Sequence, residues 1–284
     1  APPGPRGYDV IADELVAAGV ECIFGLLGDD TAPLILATNK RNITYYPVRH
    51  ENEAIAMADG YQRATGRIGV CTVTGGPGIC NGLTALVTAN RGNSRIVVLS
   101  GTGRPAEDDL DPGVIRKATP AGWLKWFPHG TTLGGLGIKT YRPQNAGEVI
   151  PDTRAALLHA ENGPSVLVYG RELIFGAADT SALAKPAPKA PPPKVPDPEQ
   201  INQLADLLQE TWAINRPLII GGRGAMNGGA GPALRRLGEL TGALMATSLP
   251  ANGLFYDDPF NVGVCGTYSN PVASELIPQA DCVL

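Results

Sequence analysis

Several stretches of this chain are unbroken or nearly unbroken apolar runs: residues 22–24, 68–73, 96–99, 165–169 and 217–220. A strand that is apolar on successive residues has no polar face to turn to water, so both of its faces must be covered. Between these runs lie stretches with apolar residues at helical spacing. The pairing of such runs with intervening helices predicts an α/β fold, a parallel sheet with helices on both faces. No other feature constrains the fold as tightly.

The order of elements follows from this rhythm. Residues 9–18 read as a helix, 22–24 as a strand closed by Gly25, and 31–39 as a helix with Thr31 as its N-cap. Residues 43–48 are β-rich. Residues 51–65 read as a helix ended by Gly66, and residues 68–73 as a strand. Gly75-Gly76-Pro77-Gly78 opens a helix over 79–90, and a looser stretch after the 96–99 strand leads to a helix over 144–159 and a strand over 165–169. Seven prolines then crowd residues 185–198: Pro186, Pro188, Pro191, Pro192, Pro193, Pro196 and Pro198. Fixed φ angles and missing N–H groups exclude a helix or central strand there and predict an extended linker.

The rhythm resumes with helices over 200–213, 233–241 and 273–277 and strands over 217–220, 243–247 and 281–284. The predicted organisation is an α/β domain over 1–184, a Pro-rich linker over 185–198, and the first half of a Rossmann-like α/β domain over 199–284. The last strand is expected to have no crossover or partner within the chain, so that further residues, from the same chain or a second one, would complete the working protein.

Composition narrows the function classes. With 43% hydrophobic and 18% charged residues, the chain is not a disordered or charge-driven tail. A net charge of −4 gives no electrostatic reason to expect nucleic acid as a partner. No apolar run reaches the ~18 residues of a membrane span, and the start of the chain does not read as a signal peptide. Cys22, Cys71, Cys80, Cys265 and Cys282 are odd in number and include no CxxC pair, and most have apolar neighbours. They read as buried thiols of a reduced compartment, and a cytoplasmic, soluble protein is expected. No His/Cys/Asp cluster has metal-ligand spacing.

Two strand–glycine-turn–helix junctions are candidate ligand sites, because backbone N–H groups at a helix N-terminus face whatever binds there. The first, Thr74-Gly75-Gly76-Pro77-Gly78, lacks the Lys-Ser/Thr of a phosphate loop. The second, Gly221-Gly222-Arg223-Gly224, has Asn227 where a dinucleotide fingerprint needs glycine, and it reads as a plain tight turn. Alone, these turns support only an α/β ligand-binding protein.

A longer pattern carries more. The segment Arg49-His50-Glu51-Asn52-Glu53-Ala54, running on through Ala58-Asp59-Gly60-Tyr61-Gln62-Arg63-Ala64-Thr65-Gly66, resembles the signature helix of thiamine-diphosphate enzymes of the acetolactate synthase and pyruvate decarboxylase superfamily. Val73-Thr74-Gly75-Gly76-Pro77-Gly78-Ile79-Cys80-Asn81-Gly82 is similar to that family's second signature. Gly19-Val20-Glu21-Cys22-Ile23-Phe24-Gly25-Leu26-Leu27-Gly28 is similar to its first strand and turn, with Leu27 where the family usually has Pro. Gly163-Pro164-Ser165-Val166-Leu167-Val168 resembles the last strand of the family's first domain. Residues 216–222 and 280–284 resemble the start of its middle domain.

The resemblance implies a pyrimidine-binding first domain and a lyase or carboligase that cleaves or forms a C–C bond next to a carbonyl, with a 2-oxo acid, acyloin or 2-hydroxyacyl substrate. Glu51 matches the family's glutamate, which hydrogen-bonds a ring nitrogen of the cofactor's aminopyrimidine and favours the imino tautomer that removes the thiazolium C2 proton. A carboxyl suits this because it can share a proton with a ring nitrogen of comparable basicity. Read without the motifs, Glu51 is a first-turn acid favoured by the helix dipole. Thr74, Pro77 and Asn81 match pocket-lining positions, and Gly25, Leu26 and Leu27 match the turn under the ring. Asp29 stands where decarboxylase-like members carry an acid that helps proton transfer, which leaves a 2-oxo acid decarboxylase as an alternative. A non-catalytic paralogous subunit of the same fold is another. His129 falls in a region that in the family reaches toward substrate, without reproducing the His-His pair of pyruvate decarboxylases. His50 reads as a cap or packing residue, and His159 as a surface histidine at a helix end. The family's Gly-Asp-Gly stretch and later Asn pair are absent, so the resemblance places Mg2+ and the diphosphate on a domain outside this chain, in a homo- or hetero-oligomer. FAD is left open as a further cofactor, with no residue pattern here that supports it.

Overall fold

The computed structural model describes residues 4–102, 113, 126–184, 195–212 and 215–284. The chain forms two compact units, Ala1–Pro191 and Pro192–Leu284. Five prolines of the predicted linker, Pro186, Pro188, Pro191, Pro192 and Pro193, lie outside the described residues.

In the first unit, helices α1 (Gly7–Ala17), α2 (Ala32–Asn39), α3 (Glu51–Thr65) and α4 (Pro77–Arg91) alternate with strands β1 (Cys22–Gly25), β2 (Thr44–Pro47), β3 (Gly69–Val73) and β4 (Ile96–Thr102). Helices α5 (His129–Gly135), α6 (Val149–His159) and α7 (Arg171–Phe175) accompany β5 (Lys139–Tyr141) and β6 (Ser165–Gly170). The sheet has the order β2-β1-β3-β4-β6-β5, and every pair is parallel.

The apolar runs split by parity between two cores. Ile23, Val70, Val97, Leu99, Leu167 and Tyr169 point toward α1, α2 and α6, where they meet Ile11, Leu15, Leu34 and Ile150. Their neighbours Phe24, Cys71, Val73, Ile96, Val98, Val166 and Val168 point to the opposite face, toward Ile55, Ile79, Leu86 and Leu133 of α3, α4 and α5. Adjacent residues of one strand thus serve different cores, which is why the runs carry no polar alternation. Burial of both faces of β3, β4 and β6 is complete along their length.

Three sequence expectations shift. The helix placed over 144–159 is divided. The Asn145 side chain caps a 3₁₀ turn, Ala146–Glu148, by accepting from Gly147 N–H, and α6 begins only at Val149. Thr31 stands at the N-cap of α2 but makes no cap bond. Its hydroxyl accepts from Gly28 N–H at 2.8 Å and donates to the Leu26 carbonyl at 2.7 Å, so it ties the preceding turn instead. The stretch between β4 and residue 144 holds α5 and β5. Both are short, and the glycines of α5 conceal its single buried apolar anchor, Leu133.

The second unit contains α8 (Pro198–Trp212), β7 (Pro217–Gly221), α9 (Arg223–Asn227), α10 (Gly231–Thr241), β8 (Leu244–Thr247), β9 (Asn261–Val264), α11 (Pro271–Leu276) and β10 (Cys282–Val283). Pro198 was expected in the linker, where no helix could form. It opens α8 instead, because the first helical position needs neither its N–H nor a φ other than proline's. The parallel sheet has the order β10-β7-β8-β9. The final strand, expected to lack a partner within the chain, pairs with β7 through Cys282↔Pro217 and Val283↔Leu218. The chain passes from β9 through α11 to the other edge of β7, the first strand of the unit, which β8 leaves open. The backbone bonds Leu284 N–H to Leu218 O and Ile220 N–H to Leu284 O extend the pairing.

All five cysteines are unbridged. Cys22 and Cys71 are buried as expected, and burial pushes both thiols up. Cys80, exposed on α4, departs from that reading, and Cys265 and Cys282 are only half-buried.

Candidate functional site

The site lies where the carboxyl ends of β1, β3 and β4 meet the starts of α3 and α4. Helix α3 begins at Glu51 because His50 is extended and its Nδ1 accepts from Asn52 N–H at 3.2 Å. It ends at Gly66, whose φ of 72° places it in the left-handed region that favours glycine. Helix α4 begins at Pro77 after Gly76, at φ 64° and ψ −111°. The two helices pack closely because α4 turns small residues toward α3. A Cβ on Gly82 would lie 2.5 Å from Ile55 Cδ1. Asn52 Oδ1 also accepts from Ala85 N–H at 2.9 Å, which bonds the first turn of α3 to the middle of α4.

This packing buries Glu51 to 6% exposure and brings it two donors. Thr74 Oγ donates to Oε1 at 3.3 Å, and Asn81 Nδ2 donates to Oε2 at 3.0 Å. A Cβ on Gly78 would sit 2.3 Å from Thr74 Oγ1 and 3.0 Å from Glu51 Oε1, so the bare glycine leaves room for the arrangement. Asn81 and Pro77 are exposed and Thr74 is half-buried, which places the carboxylate just beneath the surface with its donors at the rim. A buried carboxylate held by two oriented donors can accept or share a proton with a basic ring nitrogen that reaches it.

The glycine-rich turn after β1 is knit to the same place. A Cβ on Gly25 would meet Thr72 Cγ2 at 2.6 Å, and one on Gly28 would meet Thr74 Cγ2 at 2.5 Å. Leu26 is half-buried, and its N–H reaches Thr72 O at 3.4 Å. Leu27 is 65% exposed and lines a separate hollow of about 670 Å³ with Ile35, Leu36 and Tyr45. Asp29 is also exposed and pairs with Arg171 at 3.3 Å. The structure therefore brings Thr74, Gly78 and Asn81 to Glu51, and sets Gly25 and Leu26 against Thr72. It carries Leu27 and Asp29 to the outer surface of the turn.

His129 is fully buried at the start of α5, with its ring edge-on to Phe127 at 4.9 Å. His159, in the last turn of α6, stands near Tyr141, and burial and Lys139 lower its pKa. One residue near the site carried no sequence signal: Asp30, beside a second aspartate. Asp30 is 7% exposed, and its Oδ2 accepts from Gly75 N–H at 2.9 Å.

The model of the thiamine pyrophosphate enzyme N-terminal binding domain matches residues 5–121, and that of the central domain matches residues 201–284. The chain belongs to the thiamine-diphosphate-dependent enzymes. A family relative from Methanocaldococcus jannaschii, named "probable acetolactate synthase large subunit", is 29% identical over 295 residues, covering 98% of this chain and 46% of its own. The 2-hydroxyacyl-CoA lyase 2 of Xenopus laevis is 38% identical over 111 residues, covering 37% of this chain and 17% of its own. The structure of a family decarboxylase from Rhodococcus jostii, which acts on 4-hydroxybenzoylformate, superposes with a TM-score of 0.74 at 20% identity. It covers 92% of this chain and 48% of that one, and it shows the shared fold. The chain spans about half the length of the curated relatives it matches. Among the described residues no helix is long and apolar enough to cross a membrane, and no group of three His, Cys, Asp or Glu side chains could hold a metal ion.

Proposed function

We propose that the first unit is the aminopyrimidine-binding part of a thiamine-diphosphate lyase or carboligase that makes or breaks a C–C bond next to a carbonyl. The observation that carries this is Glu51, buried at the α3–α4 junction with Thr74 and Asn81 each donating to one carboxylate oxygen. The donor set fits the group. One carboxylate can meet a ring nitrogen, Gly78 leaves the approach open, and Pro77 and Asn81 stand at the rim for the ring face. When bound, the thiazolium supplies an acidic C2 proton and an electron sink.

This chain's part is to hold a proton at Glu51. Thr74 and Asn81 keep the carboxylate oriented, so its partner meets it without reorganisation, and burial keeps water from competing. Support for a carbonyl substrate comes from the activities of the acetolactate synthase and 2-hydroxyacyl-CoA lyase relatives, and support for assembly from the former being named a large subunit. On this reading Mg2+ and the diphosphate are held by residues outside this chain, contributed by the same polypeptide or a second subunit. Asp29 and His129 have no part in the proposed proton transfer.

Hydrogen–deuterium exchange at C2 of bound thiamine diphosphate tests the proposal without a known substrate. In the assembled enzyme, Glu51→Gln should slow that exchange by about 10²–10⁴-fold, the range of a positioned acid–base group. Exchange at the unaltered rate would refute it.

A further inference from the structure

We infer that Asp30 is a positioning residue for Glu51: its carboxylate locks the 74–78 turn and thereby holds the Thr74 hydroxyl against Glu51. The inference rests on the site proposed above. Asp30 is the buried member of an adjacent pair, whereas Asp29 faces solvent and Arg171. Its Oδ2 accepts the N–H of Gly75 at 2.9 Å, in the peptide that follows Thr74. The notch it occupies exists because two glycines line it. A Cβ on Gly75 would lie 1.8 Å from the Gly101 carbonyl oxygen, and a Cβ on Gly101 would lie 2.6 Å from Asp30 Oδ2.

Asp30 is also fixed from its own side. The phenol of Tyr169, pushed up by burial and so held neutral, donates to the Asp30 carbonyl at 3.4 Å. One residue of the β1 turn therefore touches the carboxyl ends of β3, β4 and β6. A charged acceptor on a buried N–H is among the stronger single hydrogen bonds in a fold. Here it fixes the peptide whose neighbour supplies one of the two donors to Glu51. With the acceptor removed, Gly75 and Gly76, the two residues of the turn with least intrinsic preference for one conformation, are released.

The test compares Asp30→Ala, Asp30→Leu and Asp30→Asn in the full-length protein. Leu keeps the volume without an acceptor, and Asn keeps an acceptor oxygen. The first readout needs no ligand: amide hydrogen exchange across residues 74–78. The second is the affinity for thiamine diphosphate in the presence of Mg2+, followed by titration calorimetry. Ala and Leu should speed exchange of these amides and weaken the cofactor about tenfold to a hundredfold, the scale of one lost charge-assisted bond. Asn should restore both to within about threefold, since its amide oxygen still accepts from Gly75. Leu matching the unaltered protein as well as Asn does would reduce Asp30 to a space-filling role and overturn the inference. Unchanged exchange in Asp30→Ala would overturn it as well. If exchange responds as expected while the unaltered protein binds no cofactor, the proposed function fails but the positioning of the turn by Asp30 stands.

Discussion

Two glycines in the paired helices make an internal comparison. Gly60 lies inside α3 with nothing within 4 Å of where a Cβ would stand, whereas Gly78 lies in the first turn of α4 with Thr74 Oγ1 at 2.3 Å and Glu51 Oε1 at 3.0 Å. Neither has a positive φ. Replacing an exposed helical glycine with alanine stabilises by about 0.5–1 kcal/mol, because alanine loses less backbone entropy. Gly60→Ala should show that gain. Gly78→Ala has at most the same intrinsic gain, and its methyl occupies the space of the Thr74 hydroxyl. Thr74 is β-branched and must change rotamer to make room, which breaks its bond to the Glu51 carboxylate. A hydrogen bond to a charged group contributes about 1.5–3 kcal/mol, so the net for Gly78→Ala is a loss of about 0.5–2.5 kcal/mol. Urea denaturation of both variants beside the unaltered protein measures the difference, with unchanged slopes required for the comparison. If Gly78→Ala were as stabilising as Gly60→Ala, the Thr74–Glu51 contact would not exist in solution, and the account of the site would be wrong.

Two further predictions concern the same unit. Glu14, 5% exposed at its side chain, receives both Nε and Nη2 of Arg154 at 2.8 and 2.9 Å, and Arg154 Nη1 donates to the Ala182 carbonyl, so the pair binds α1 to α6 and to the chain beyond α7. Glu14→Gln takes the counter-charge away from a largely buried guanidinium and should cost about 3 kcal/mol in urea denaturation, and a midpoint shift near zero would contradict it. His159 is held below the ordinary histidine value of 6.5 by burial and by Lys139, so the folded state binds fewer protons there than the unfolded chain. Its contribution is complete above that value and is lost as pH falls through and below it. Denaturation midpoints between pH 7 and 5 should therefore fall less steeply in His159→Gln, and identical slopes would argue against the assignment.

Some of this protein is legible locally. The alternation of apolar runs with helical periodicity depends only on residue order, and it predicts helices on both faces of a parallel sheet because a strand apolar on every residue has no other stable environment. The same holds for Glu51 at the start of a helix and for the turn through Gly75, Gly76 and Pro77. There φ preferences and the missing proline N–H act within a few residues.

Tertiary structure decided the rest, because it concerns contacts between residues far apart in the chain. Asp29 and Asp30 are chemically identical neighbours. What sends one to solvent and the other inward is the amide of Gly75, 45 residues on, together with the notch at Gly101. The Thr31 hydroxyl, at the N-cap of α2, turns back to Leu26 and Gly28 because the turn before it is folded against Thr72 and Thr74. The last strand pairs with β7 because α11 carries it to an edge that β8 leaves open, and no local pattern in residues 281–284 encodes that choice. Chain order thus determined that a carboxylate begins α3. Only the packing of α4 and the β1 turn around it gave that carboxylate two donors and a turn held in place beneath them.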